Sequence, residues 1–120
     1  MHVINVPLFH CDINFVVGKK ELNEFFKEYK KLKKKHKEHI LQNAGFCWNL
    51  AKHYPGEILV FVHDIDDIDT IAHEMTHTAH YVMKRAGIPI DFANTEIQAY
   101  LIGYLVGKAL AIRQEWSERS

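Results

Sequence analysis

Hydrophobic positions change their period along the chain, and the changes mark out its elements. Val3 to Phe9 and Ile13 to Val17 read as short strands, with Pro7 suggesting an edge or a bulge in the first. From Lys19 to Ile40 the apolar residues Leu22, Phe25, Phe26, Tyr29, Leu32 and Ile40, with His36, recur at helical spacing and predict one amphipathic helix. Asn43-Ala44-Gly45 breaks it. Phe46 to His53 and Ile58 to His63 then read as two strands joined around Tyr54-Pro55-Gly56-Glu57, a turn signal.

The next stretch is helical again. Ile68, Ile71, Ala72, Met75, Ala79, Val82 and Met83 form one apolar face, while His73, His77 and His80 fall on the opposite side. Asp66 or Asp67 can cap the start, Asp69 suits the positive end of the dipole, and Gly87 followed by Pro89 ends the helix. Asn94 is a candidate cap for a second helix running to about Arg113, beyond which the polar residues 114–120 are expected to fray. Strands with helices packed on one face predict an α+β domain spanning residues 1–120: a small twisted sheet on the histidine helix and the helix after it.

Composition changes this picture little. The apolar share of 48% and charged share of 25% are those of an ordinary globular protein, and 120 residues suffice for one core. The net charge of zero gives no global field toward nucleic acid or membrane. With no signal segment and no apolar run long enough to span a bilayer, a cytoplasmic protein is expected. Cys11 and Cys47 are too few for a disulfide framework and read as buried free thiols. Residues 19–39 carry nine Lys and four Glu. A solvated helix face accounts for them better than a nucleic-acid site, because Arg is absent and no aromatic residue is interleaved on that face. Asp64, Asp66, Asp67 and Asp69 match a calcium loop only in composition, and helix capping explains them.

The candidate chemistry lies in His73-Glu74-Met75-Thr76-His77. Residues four apart stack on one helix face, so His73 and His77 can offer imidazole nitrogens to one cation. Glu74, turned by about 100° from His73, sits beside such an ion and can act as general base toward a water that the ion activates. A catalytic zinc usually takes a third protein ligand. Glu96, in the first turn of the following helix, is the candidate, and His80 the rival. His80 is seven residues, or about 10 Å of helix rise, from His73, which favours a place in the cleft or behind the ligands. Tyr100 and Tyr104 follow Glu96 at one-turn steps. Either hydroxyl could bond a ligand or polarise a carbonyl, although core aromatics with satisfied hydroxyls are the commoner case.

His73-Glu74-x-x-His77, eighteen intervening residues and then Glu96 resembles the gluzincin pattern. The stretch from Ile58 to Val106 is also similar to small single-domain zincin-like proteins of phages and prophages, and the size and layout to archaeal minigluzincins. The resemblance implies a sheet above the metal-binding helix, a Zn²⁺ ion held by His73, His77 and Glu96, and an edge strand along which an extended peptide could lie. Tyr100 is a departure, since larger gluzincin peptidases often carry Asp there. The expectation is a zinc-dependent hydrolase, a minimal metallopeptidase acting on a peptide or protein, with Glu74 catalytic. The alternative is a catalytically silent zincin-like binding or regulatory module with a structural or vestigial metal.

Overall fold

The computed structural model describes residues 1–119. Four strands, β1 (His2–Val6), β2 (Cys11–Val17), β3 (Gly45–Asn49) and β4 (Glu57–Val62), form one mixed sheet in the order β1-β2-β4-β3. β1 pairs antiparallel with β2, β2 parallel with β4, and β4 antiparallel with β3, which is therefore an edge. The helices are α1 (Gly18–Glu28), α2 (Lys35–Leu41), α3 (Ile68–Arg85) and α4 (Thr95–Arg119). The expected α+β architecture, a sheet on the histidine helix and its successor, is present.

The helices cover both faces of the sheet rather than one, and the central strands show why. In β2 and β4 nearly every residue is apolar and buried, so neither face can meet water. Ile13, Phe15, Val60 and Val62 face α3 and α4 in a core with Ile71, Met75, Val82, Leu101 and Leu105. Val16, Leu59 and Phe61 face the other way, onto Leu22, Phe25 and Ile40 of α1 and α2.

The single helix expected over 19–40 is two. α1 stops at Tyr29, and α2 restarts at Lys35. The hydroxyl of Tyr29 donates to Glu57 Oε1, and Asn14 Nδ2 donates to the same oxygen at 3.1 Å. This anchorage turns the chain out of the helix, and it separates lysines that a continuous helix would stack one turn apart. Leu32 remains buried across the break, which is why the apolar spacing ran on unbroken.

The strand expected to reach His53 ends at Asn49, and Leu50 to Gly56 make the connection to β4. α4 does not fray after Arg113: Trp116 packs half-buried on the core, and Arg113 bonds Asp66 at 3.0 Å. Ser120 lies outside the described residues. No helix among the described residues is long and apolar enough to cross a membrane.

Candidate metal centre

α3 begins as expected. Asp67 caps it, accepting from the Thr70 amide at 3.2 Å, and the chain leaves through Gly87 at φ +74°, a conformation that favours glycine. Asn94, by contrast, does not cap α4. Asp91 opens a 3₁₀ turn over Phe92–Asn94 that runs into α4, and Asn94 Nδ2 donates to Asp91 and to the Pro89 carbonyl.

The buried face of α3 carries Ile71, Met75, Ala79 and Val82, so His73 and His77 emerge on the exposed side. Their Nε2 atoms are 3.2 Å apart, and the rings meet edge to face. Two imidazole nitrogens at this distance need either one N–H pointing at the other's lone pair or a cation between them. The ligand atoms of His73, Glu74 and His77 all lie within 4.8 Å of one another, the only such group among the described residues.

Glu74 is the residue the fold treats most unusually. It is 8% exposed, and no described residue donates a hydrogen bond to its carboxylate. Burial pushes its pKa up, against the pull of His73 and His77. The burial comes from β3. A Cβ on Gly45 would stand 2.4 Å from the Thr70 methyl and 2.9 Å from Glu74 Cγ, so the strand closes over this side chain only because position 45 is glycine. Two residues along β3, Cys47 Sγ lies 3.2 Å from Thr78 Oγ1, whose own hydrogen goes to the Glu74 carbonyl at 2.8 Å. The thiol is then the donor, and burial raises its pKa to about 12. Both cysteines are free, Cys11 buried and Cys47 half-buried.

Gly45, Cys47 and Thr78 belong to no motif in the sequence, yet they surround Glu74 in the fold. Gly45 reads there as a helix breaker, and only the register that brings β3 over α3 gives it a second role. Thr78, one turn after Glu74, was the available signal.

The remaining candidates are not gathered in. Glu96 is exposed in the first turn of α4, outside the His73–Glu74–His77 group, and five residues before buried Leu101. It is therefore turned by about 140° from that residue, so it projects outward from the core, as the two histidines do. His80 Nε2 lies 2.9 Å from Gln98 Oε1 and so ties α3 to the start of α4. Tyr104 donates to the Asn5 carbonyl at 2.8 Å, and Tyr100, 62% exposed, stacks on Tyr104. His63, also exposed, has Nε2 2.8 Å from the Leu41 carbonyl.

The chain matches no protein-family model, no curated protein and no solved structure.

Proposed function

We propose that this protein is a zinc-dependent hydrolase, a minimal metallopeptidase acting on a peptide or protein. One observation carries the reading: two imidazole nitrogens 3.2 Å apart beside Glu74, a largely buried residue whose carboxylate reaches solvent and accepts no hydrogen bond from the described residues. A tetrahedral zinc with bonds of about 2.0–2.1 Å separates two nitrogen ligands by roughly 3.3 Å. The donor set thus suits the ion. His73 and His77 would hold it, and Glu96 is the third protein ligand in this proposal. When bound, the ion would lower the pKa of a water toward ~7 and polarise the scissile carbonyl.

The chain's own contribution is proton handling and orientation. Glu74 takes the proton of the attacking water and passes it to the leaving amine, and burial brings its basicity closer to neutral pH, where such a group works best. Gly45 of β3 packs against it and against Thr70, one turn earlier on α3. The open edge of β3 offers backbone donors and acceptors to an extended substrate. The test is elemental analysis of purified protein beside a peptide-hydrolysis screen, with Glu74→Gln as control. About one zinc per chain and hydrolysis lost in the variant are expected. A zinc content unchanged in His77→Ala would remove the motif as the site.

A second reading, a silent zincin-like binding module with a structural metal, draws on the exposed position of Glu96 outside the ligand group. It expects bound zinc and no hydrolysis in either protein.

A further inference from the structure

The break between α1 and α2 creates a surface on the face of the sheet opposite His73. Lys27, Lys30, Lys34 and Lys37 converge around a hollow of about 750 Å³ whose floor is Phe26 and Leu32. Leu32 also borders a second hollow, of about 360 Å³, so the two adjoin. The second is lined by Lys31, Lys33, Lys35 and Lys52 together with Trp48 and two histidines, His36 and His53. No carboxylate lines either hollow, and no lysine of the described residues forms an ion pair. Glu24, Glu28 and Glu38 lie along the same two helices, but none lines either hollow or pairs with a lysine, and Glu21 is held by the N-terminal ammonium and the Val17 amide.

This arrangement is unfavourable in the isolated protein. Ammonium groups that share a hollow repel one another over a Debye length of about 10 Å, and here no lysine of the described residues is offset by an ion pair. A ligand carrying regularly spaced negative charge relieves the repulsion, and lysine is a point-charge partner for phosphate. The rings add a second kind of contact. Trp48 reaches this surface from β3, half-buried, with the ring of His36 tilted against it at 4.9 Å. A groove of cations with an aromatic side chain in its wall is the arrangement that binds single strands, phosphates to the cations and bases to the rings. Sequence spacing could not show it, because the aromatic residue comes from a different element than the lysines.

We infer that the α1–α2 face binds single-stranded nucleic acid, with phosphates in the four-lysine hollow and a base against Trp48. The site is separate from the metal centre, and the inference stands or falls independently of the hydrolase reading.

The experiment uses the full chain and fluorescein-labelled oligo(dT) and oligo(U), read by anisotropy over a range of salt. Affinity should fall with salt with a log–log slope of roughly −3, about −0.7 for each of four phosphates. Lys34→Glu/Lys37→Glu, at the surface, should weaken binding at least about tenfold while leaving zinc content unchanged. In a Trp116→Phe background Trp48 is the sole tryptophan, and its emission should be quenched by the oligonucleotide and not by poly-glutamate. Three results would each overturn the inference. They are no binding even at low salt, binding indifferent to the double lysine variant, and equal affinity for poly-glutamate or phosphatidylserine vesicles with Trp48 unquenched.

Discussion

Glu57 and Glu74 are two carboxylates drawn partly out of water on opposite faces of one sheet, and the fold handles them in opposite ways. Glu57 accepts from the Tyr29 hydroxyl and from Asn14 Nδ2, with Tyr29 packed between the rings of Phe25 and Tyr54. Burial, together with the hydrogen bond to Glu57, raises the Tyr29 pKa, so the phenol stays a donor throughout the range in which the protein is handled. Glu74 is more buried and receives no donor from the described residues. A carboxylate closed into a network fixes the chain, whereas one left with free acceptors beside two imidazoles can exchange a proton. Burial alone does not separate structural acids from chemical ones; the partners do.

The largest effect should therefore come from neutralising each in turn. Glu74→Gln keeps shape and removes basicity, and loss of a general base costs ~10²–10⁴ in rate. Zinc content should stay near normal. Glu57→Gln should leave hydrolysis unchanged and lower stability by about 1 kcal/mol, the difference between a charge-assisted and a neutral hydrogen bond. Hydrolysis indifferent to Glu74, or abolished through Glu57, would break the contrast between the two acids.

A smaller effect distinguishes Glu96 from His80. As a proposed ligand Glu96 should matter more to zinc affinity than His80, which is engaged with Gln98. In a chelator competition Glu96→Ala should lose about a hundredfold or more and His80→Ala less than about tenfold, the lower end of what supporting residues contribute. The reverse ranking would give the third position to His80.

How much of this was legible follows from what each feature depends on. The cap at Asp67, the stop at Gly87 and the exposed pairing of His73 with His77 are local, set by spacing on one helix, and all are found. The break at Tyr29 was not legible, because its cause is a hydrogen bond to Glu57, 28 residues away. Asn94 differs from the expectation for a local reason: its side chain turns back to Asp91 and Pro89, three and five residues earlier, instead of capping α4. Nor could spacing show that Trp48 would meet the lysines, or that Gly45 would lie against Thr70 and Glu74. Tertiary register decides these.

Gly45→Ala tests that register on the Glu74 side. The new methyl must displace the Thr70 methyl or Glu74 Cγ, and overpacking of this kind costs about 1–3 kcal/mol. Hydrolysis should fall at least about tenfold, since small misplacements of a catalytic group are expensive. Adding Thr70→Ser removes one of the two clashing atoms and should restore part of both losses. Unchanged stability and rate in Gly45→Ala would show that β3 does not hold Glu74 in place.

The smallest expected effect concerns Cys47, a titratable group of β3 itself that faces Thr78 on α3. Burial holds its thiol up at about 12, so at neutral pH it is a hydrogen-bond donor to Thr78 and not a nucleophile. Alkylation should be slow in the native protein and fast once it is unfolded. Cys47→Ala removes one neutral hydrogen bond, worth about 0.5–1.5 kcal/mol. The rate should stay within about threefold, because in this mechanism the proton moves through Glu74. The sign of the pH dependence follows from the raised pKa. The thiol's contribution is complete below the unfolded value of about 8.5 and is lost as pH climbs from there toward the folded one. Wild type should therefore lose stability more steeply than Cys47→Ala between those limits in denaturant titrations. If Cys47→Ala instead abolished hydrolysis as deeply as Glu74→Gln, the buried acid would not be the group that does the chemistry, and the distinction between Glu57 and Glu74 would lose its functional meaning.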